Sequence, residues 1–221
     1  MYNQNITLTE GEKDMKSKIM LSGIAAMMIS ATGANAMELR PFIGATMGLQ
    51  GMFYSHDTRK MERNANFDLP TSLFTFGFEG GVRFGKYSEI YNGGVSLNLD
   101  MSTSTDVDAK FNDKKVAEIN TNVFSATYDN FIRISGDKMN RIDLVLGAGV
   151  GSMSYTVDDS DIPGYGDDTY HSTVIVLKAG LDFELTKEFT LSATSRWLIP
   201  TKSDYMTDSS YIAGGAVKYV F

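Results

Sequence analysis

Hydrophobic and polar residues alternate along most of this chain with a period of two, the repeat of a β-strand whose two faces meet different surroundings. The last eleven residues, Tyr211 to Phe221 (YIAGGAVKYVF), show it plainly. Tyr211, Ala213, Gly215, Val217, Tyr219 and Phe221 form one set, and Ile212, Gly214, Ala216, Lys218 and Val220 form the other, with the only charge. The pattern recurs to predict eight strands, at about 41–53, 74–84, 91–101, 122–134, 141–154, 172–185, 189–199 and 211–221. Ile43, Met47, Leu49 and Phe53 share a face in the first, and Phe74, Phe76, Phe78, Val82 and Phe84 in the second. In the fourth, Asn130 interrupts an otherwise apolar face.

Charge separates the two faces more sharply than hydropathy does. The apolar parity of all eight strands contains no Asp, Glu, Lys or Arg. In a chain that is 21% charged, a face of that size drawn at random would carry about ten. The opposite parity carries six acidic residues (Glu79, Asp100, Asp129, Asp143, Asp182, Glu184) and six basic ones (Arg83, Arg133, Arg141, Lys178, Arg196, Lys218). A soluble barrel or sandwich puts apolar residues inside and charges outside. Here the charge-free face is the larger, outer one, and the charged parity is rich in glycine, as a narrow lumen requires. That arrangement predicts an all-β, eight-stranded antiparallel up-and-down transmembrane β-barrel.

The predicted connections alternate in length. Those at Gly85–Ile90, Ser135–Asn140 and Thr186–Glu188 are short, whereas 54–73, 102–121, 155–171 and 200–210 are long. In such barrels short turns face the periplasm and long surface-exposed loops face outward, so both termini are expected to be periplasmic. Aromatic residues gather where strands leave the bilayer. Phe42, Phe84, Tyr87, Tyr91, Phe189, Tyr219 and Phe221 are expected to form a turn-side girdle, and Phe53, Tyr54, Phe74, Trp197 and Tyr211 a loop-side one.

Composition adds compartment and excludes partners. Met15, Lys16, Ser17 and Lys18 precede an apolar run at 19–30, and Ala34 and Ala36 supply small residues for cleavage. These are the three parts of a cleavable signal peptide, placed at 15–36. Residues 1–14 are then a non-translated or dispensable extension with Met15 as the true start, and 37–221 is the mature domain. The net charge is −7 without a basic run, which argues against nucleic acid, and there are no cysteines.

With these elements in hand, the chain resembles the small outer-membrane barrels of the OmpA-type and OmpX-type membrane domains of Gram-negative bacteria. The resemblance covers 37–221 and rests on the signal peptide, the eight alternating strands and the terminal Phe221. It implies that Tyr211, Val217, Tyr219 and Phe221 form a signal read by the barrel-assembly machinery after delivery by periplasmic chaperones. It also implies outer-membrane lipid and lipopolysaccharide as surroundings, and no peptidoglycan-binding module after Phe221.

Candidate chemistry is sparse. The balanced lumen charges favour a salt-bridged filling over a porin-like channel, whose wall would be biased to one sign. The loop 158–168 (DDSDIPGYGDD) is acidic but lacks EF-hand spacing. It reads as a solvated loop, able at most to meet lipopolysaccharide phosphates through divalent ions. Some relatives on this scaffold modify lipid A with Ser and His. Here only His56 and His171 exist, and His171 and Ser172, being adjacent on a strand, should point to opposite faces. The glycine run 147–151 has no following helix and is not a nucleotide loop. No cofactor is expected. The sequence thus predicts a non-enzymatic surface barrel with an envelope-integrity or adhesion role and an unidentified extracellular partner. A small-solute channel is the alternative, and a lipid A-modifying enzyme the third reading.

Overall fold

The computed structural model describes residues 38–65, 67–86, 88–109, 115–136, 140–158, 168–201 and 207–221. The expected signal peptide with Ala34 and Ala36, Tyr87, and most of the acidic loop lie outside them. Eight wall strands follow in order: β1 (Leu39–Tyr54), β2 (Ser72–Phe84), β3 (Tyr91–Ala109), β4 (Lys115–Ser135), β5 (Ile142–Asp158), β6 (Asp168–Glu184), β7 (Phe189–Pro200) and β8 (Thr207–Val220). Each pairs antiparallel with its neighbours, and β1 with β8 closes the barrel.

Register fixes the shape. The ladder passes from Arg40 through Arg83, Gly94, Asp129, Gly147, Lys178, Arg196 and Ile212 and returns to β1 at Gln50, a shear of ten residues (50 − 40). For eight strands this corresponds to a tilt of about 40° and an interior that side chains can fill. Outward residues such as Phe74, Phe78, Leu177 and Val217 are exposed, whereas their neighbours in sequence are buried. No described helix is long and apolar enough to cross a membrane; the crossing elements are these strands.

Tight turns need special backbone. Gly85 and Gly136 take positive φ (127° and 89°), and Asn140 sits in the left-handed region at 68°. A side chain at Gly51 would meet the Tyr211 ring at 2.1 Å, so glycine lets that ring lie flat on the wall. Around it Phe53, Trp197 and Tyr211 cluster with centroids 5.6–6.0 Å apart, Trp197 stacking on both of the others. At the turn end Tyr219 contacts Phe189 at 5.4 Å and Phe221 at 5.0 Å.

Three expectations are corrected. Phe42 and Tyr54 do not belong to the girdles; both are buried inside the barrel. Phe42 lies on the inward parity of β1, and Tyr54 follows a register irregularity at Phe53. The stretches 102–121 and 155–171 are not loops along most of their length, because β3–β6 continue as paired strands beyond the apolar wall. Outside lipid the alternation of apolar and polar residues is no longer demanded, so its loss did not mark the strand ends. The first connection also contains a helix, α1 (His56–Ala65), and a two-residue strand, Phe67–Asp68, that pairs with β3. Ser55 caps α1 through Thr58 N (3.3 Å), Asp57 lies in its first turn and Arg63 in its last.

Candidate functional site

The lumen is built in storeys, each set by which inward residues meet at that height. At the turn end Arg83 sits among three carboxylates. Its guanidinium donates to Glu184 Oε1 at 2.9 Å, bonds closely to Asp182, and lies 3.5 Å from Asp143 Oδ2, with its face 4.0 Å from the Phe131 ring centre. Arg141 Nε donates to Asp143 Oδ1 at 2.5 Å. Arg133, at the end of β4 opposite Asp143 in register, is only half-buried. Arg40, which continues the inward parity of β1, adds a cation 3.7 Å from Glu184 and was missed because the pattern was read only from residue 41.

Above this cluster Lys178 Nζ donates to Glu79 Oε1 (2.6 Å) and Asp129 Oδ2 (2.8 Å). Lys218 Nζ lies 3.0 Å from Glu79 Oε2, an ion-pair contact outside hydrogen-bond geometry, and 3.6 Å from Asp182. Arg196 forms a two-point fork with Asp100 at 2.6 and 2.7 Å. Ser192 and Ser96 donate to Asp182 and Asp129, each at 2.5 Å. Oppositely charged forks of this kind are strong only because each buried carboxylate keeps a cation and a hydrogen-bond donor.

Gln50 forms the next storey. Its carbonyl accepts from Ser102 and Thr121, both at 2.5 Å, and its amide donates to Ser210 at 3.4 Å. Beyond Gln50 the lumen turns apolar: Met52, Leu73, Ile119, Val123, Met153, Val174, Val176, Leu198 and Ile212 pack into one buried cluster. The interior is therefore not filled by charge pairs alone. The inward parity reads Met52, Val123, Met153, Val174, Val176 and Leu198 toward the loop ends, so this cap was visible in the sequence. Balanced charge drew attention away from it.

The first connection folds over the cap. Tyr54 and Leu69 enter the cluster, with the Tyr54 hydroxyl donating to Pro70 O at 2.6 Å. Buried Glu62 on α1 accepts from Leu69 N at 3.0 Å and from Arg59 at 3.1 Å, and Arg59 lies 5.1 Å over the Tyr54 ring. This strap ties helix, chain and cap together.

The residues considered for catalysis do not converge. His171 is exposed on the outer face of β6, whereas Ser172 is buried inside and donates to Thr173 O at 3.1 Å. His56 is exposed on α1. The Asn130 amide is accommodated on the outer face, bonding to the Tyr91 hydroxyl and donating to Leu146 O at 3.2 Å. Tyr211, Val217 and Tyr219 lie on the outer face of β8 with Phe221 beyond its end.

No curated protein sequence matches the chain. Among solved structures it is similar to Ail, the attachment invasion locus protein of Yersinia pestis, with 16% identity, a TM-score of 0.48, and coverage of 83% of this chain and 99% of that one. It is also similar to Neisserial surface protein A, with 13% identity, a TM-score of 0.47, and coverage of 85% and 100%. For OprG from Pseudomonas aeruginosa the values are 12% identity, a TM-score of 0.49, and coverage of 81% and 95%. The model of the outer membrane protein beta-barrel domain matches residues 22–221. This chain belongs to the outer membrane protein beta-barrel domain family, a family of Gram-negative outer membranes.

Proposed function

We propose that this barrel is a non-conducting surface protein of the outer membrane, a scaffold that supports envelope integrity and offers its loop end for contact with a partner outside the cell. The observation that carries this reading is the depth of the seal. An apolar cap and its strap lie above Gln50, and a close-packed charge cluster lies below it. In this reading the loop end faces outward amid lipopolysaccharide, and the turns and both termini face the periplasm. Residues 15–36 direct export, cleavage follows Ala36, and no lipid chemistry is assigned to His171. Refolded protein in a planar bilayer is expected to give no discrete conductance steps. Reproducible openings in the wild type would overturn the proposal and favour the narrow channel.

Biogenesis would depend on Tyr211, Val217, Tyr219 and Phe221 as a signal to the assembly machinery, with periplasmic chaperones carrying the unfolded chain. Phe221 is mostly exposed and contributes one backbone hydrogen bond, to Pro41 O at 2.9 Å, worth about 1 kcal/mol. Deleting it should leave refolding in vitro intact while lowering the outer-membrane level severalfold, with exported chain left in the periplasm. A normal amount of heat-modifiable barrel in the outer membrane of the deletion strain would sink this assignment.

A further inference from the structure

Asn130 stands on the lipid-facing wall, with Tyr128 one outward position above it and Ile132 one below. Lipid offers no water to its amide, so an Asn there is costly unless its donors are used. The protein uses most of them in a short relay. The Tyr128 hydroxyl hydrogen-bonds to that of Tyr91. Tyr91 donates to Asn130 Oδ1, and Asn130 Nδ2 donates to Leu146 O at 3.2 Å. With the Tyr91 proton committed to Asn130, Tyr128 is the donor in the first bond, and the whole chain is polarised toward the amide. A primary amide carries two N–H donors, and Leu146 O takes one. Among the described residues the other meets no protein acceptor.

Depth decides what can accept it. Phe84, Gly93 and Asn130 share one rung, and Phe84 is the last residue of β2, in the turn-side girdle. In a wall tilted by about 40°, each step of about 4.8 Å to the next strand climbs about 3 Å, which puts Asn130 about 6 Å deeper than Phe84. Aromatic girdles sit at head-group level, so this is the depth of glycerol esters and the first acyl methylenes. Esters accept hydrogen bonds and donate none. Gly93 shapes the place. A Cβ there would meet the Phe84 ring at 2.3 Å and the Tyr128 hydroxyl at 2.9 Å, so glycine lets both close over β3. The Phe84 and Tyr128 rings, 6.0 Å apart, leave an apolar shelf beside the amide.

We infer that Asn130 marks a phospholipid site. Its outward N–H donates to an acyl ester carbonyl, and the first methylenes of that chain lie along the Phe84–Tyr128 shelf. No Lys or Arg stands on the outward parity of the surrounding wall, so the group recognised is the ester and not the head group. With the turns in the periplasm, as the proposed function has them, the lipid belongs to the inner leaflet.

The test compares nanodiscs of a diacyl phosphatidylcholine with nanodiscs of its dialkyl ether analogue, alike in head group and chain length. In the ester lipid the Asn130 side-chain amide of isotope-labelled protein is expected to show magnetisation transfer to lipid glycerol protons. Its outward proton is expected to move upfield in the ether lipid, where the carbonyl is gone. Asn130→Leu should lower the urea midpoint more in ester than in ether vesicles, because only there is a lipid bond lost. An amide shift identical in the two lipids would overturn the inference. So would equal midpoint losses, which a purely internal Tyr91–Asn130–Leu146 relay predicts. Asn130-dependent dimers on cross-linking, without transfer to lipid, would overturn it in favour of a second copy. These bilayers present the same lipid at both ends of the barrel, so the outcome does not depend on which way the turns point. A reversed orientation in cells would change the leaflet and leave the ester contact standing.

Discussion

Arg196→Ala is expected to destabilise the barrel by about 3–5 kcal/mol, the range for removing one partner from a buried ion pair. Arg196 and Asp100 are almost fully buried and meet through two short bonds. Among the described residues, no second cation lies within ion-pair distance of Asp100. Truncation would therefore leave a buried carboxylate uncompensated. The urea midpoint for losing the heat-modifiable band in lipid vesicles measures the effect. Adding Asp100→Asn should recover most of it, because the stranded charge is then gone. Lys178→Ala should cost less, since Glu79 keeps Lys218 at 3.0 Å and Asp129 keeps the Ser96 hydroxyl. If Arg196→Ala matched the wild type, the lumen pairs would have no structural role.

Leu97→Lys should cost about 2–4 kcal/mol, the penalty for a cation on the lipid face near the bilayer midplane. Leu97 lies near the middle of the apolar outward stretch of β3, Tyr91–Met101, between Gly80 of β2 and Ala126 of β4. A lysine there cannot reach the lumen without breaking the pleat. The same change at Thr169, exposed on β6 above the apolar wall, should shift stability by less than about 1 kcal/mol. Equal losses at both sites in vesicle refolding would mean that the charge-free face is not set by lipid.

How much of this was legible in the sequence depended on what the solvent demanded of each residue. Where a strand crosses lipid, every second residue must be uncharged, so Phe74, Phe76 and Phe78 or Ile175 and Leu177 declare both the strand and its outer face. Above the lipid that demand ends. The continuation of β3 and β4 toward Ala109 and Lys115 was read as loop for this reason. Helix α1 is ten polar-rich residues with Met61 as its one large apolar residue, so no apolar stripe marked it, and its signal was the capping Ser55. The inward charges could be named from parity alone. Their partners could not, because Arg196 and Asp100 are 96 residues apart in the chain and meet only across a closed lumen. The cap shows the opposite failure. Val174, Val176 and Leu198 lay on a parity assigned to polar filling, and an average over that face hid its apolar end.

The closed register bears on how assembly errors are rejected. A strand that slips by one residue turns its charges into lipid, and the membrane refuses it at once. A slip of two residues keeps every side chain on its proper face, so lipid cannot detect it. The lumen can. Sliding β7 by two residues against β8 would carry Arg196 about 6.6 Å along the strand and part it from Asp100, on the far wall of the barrel. Hydrophobic patterning and buried charge therefore proofread different mistakes, the odd slips and the even ones.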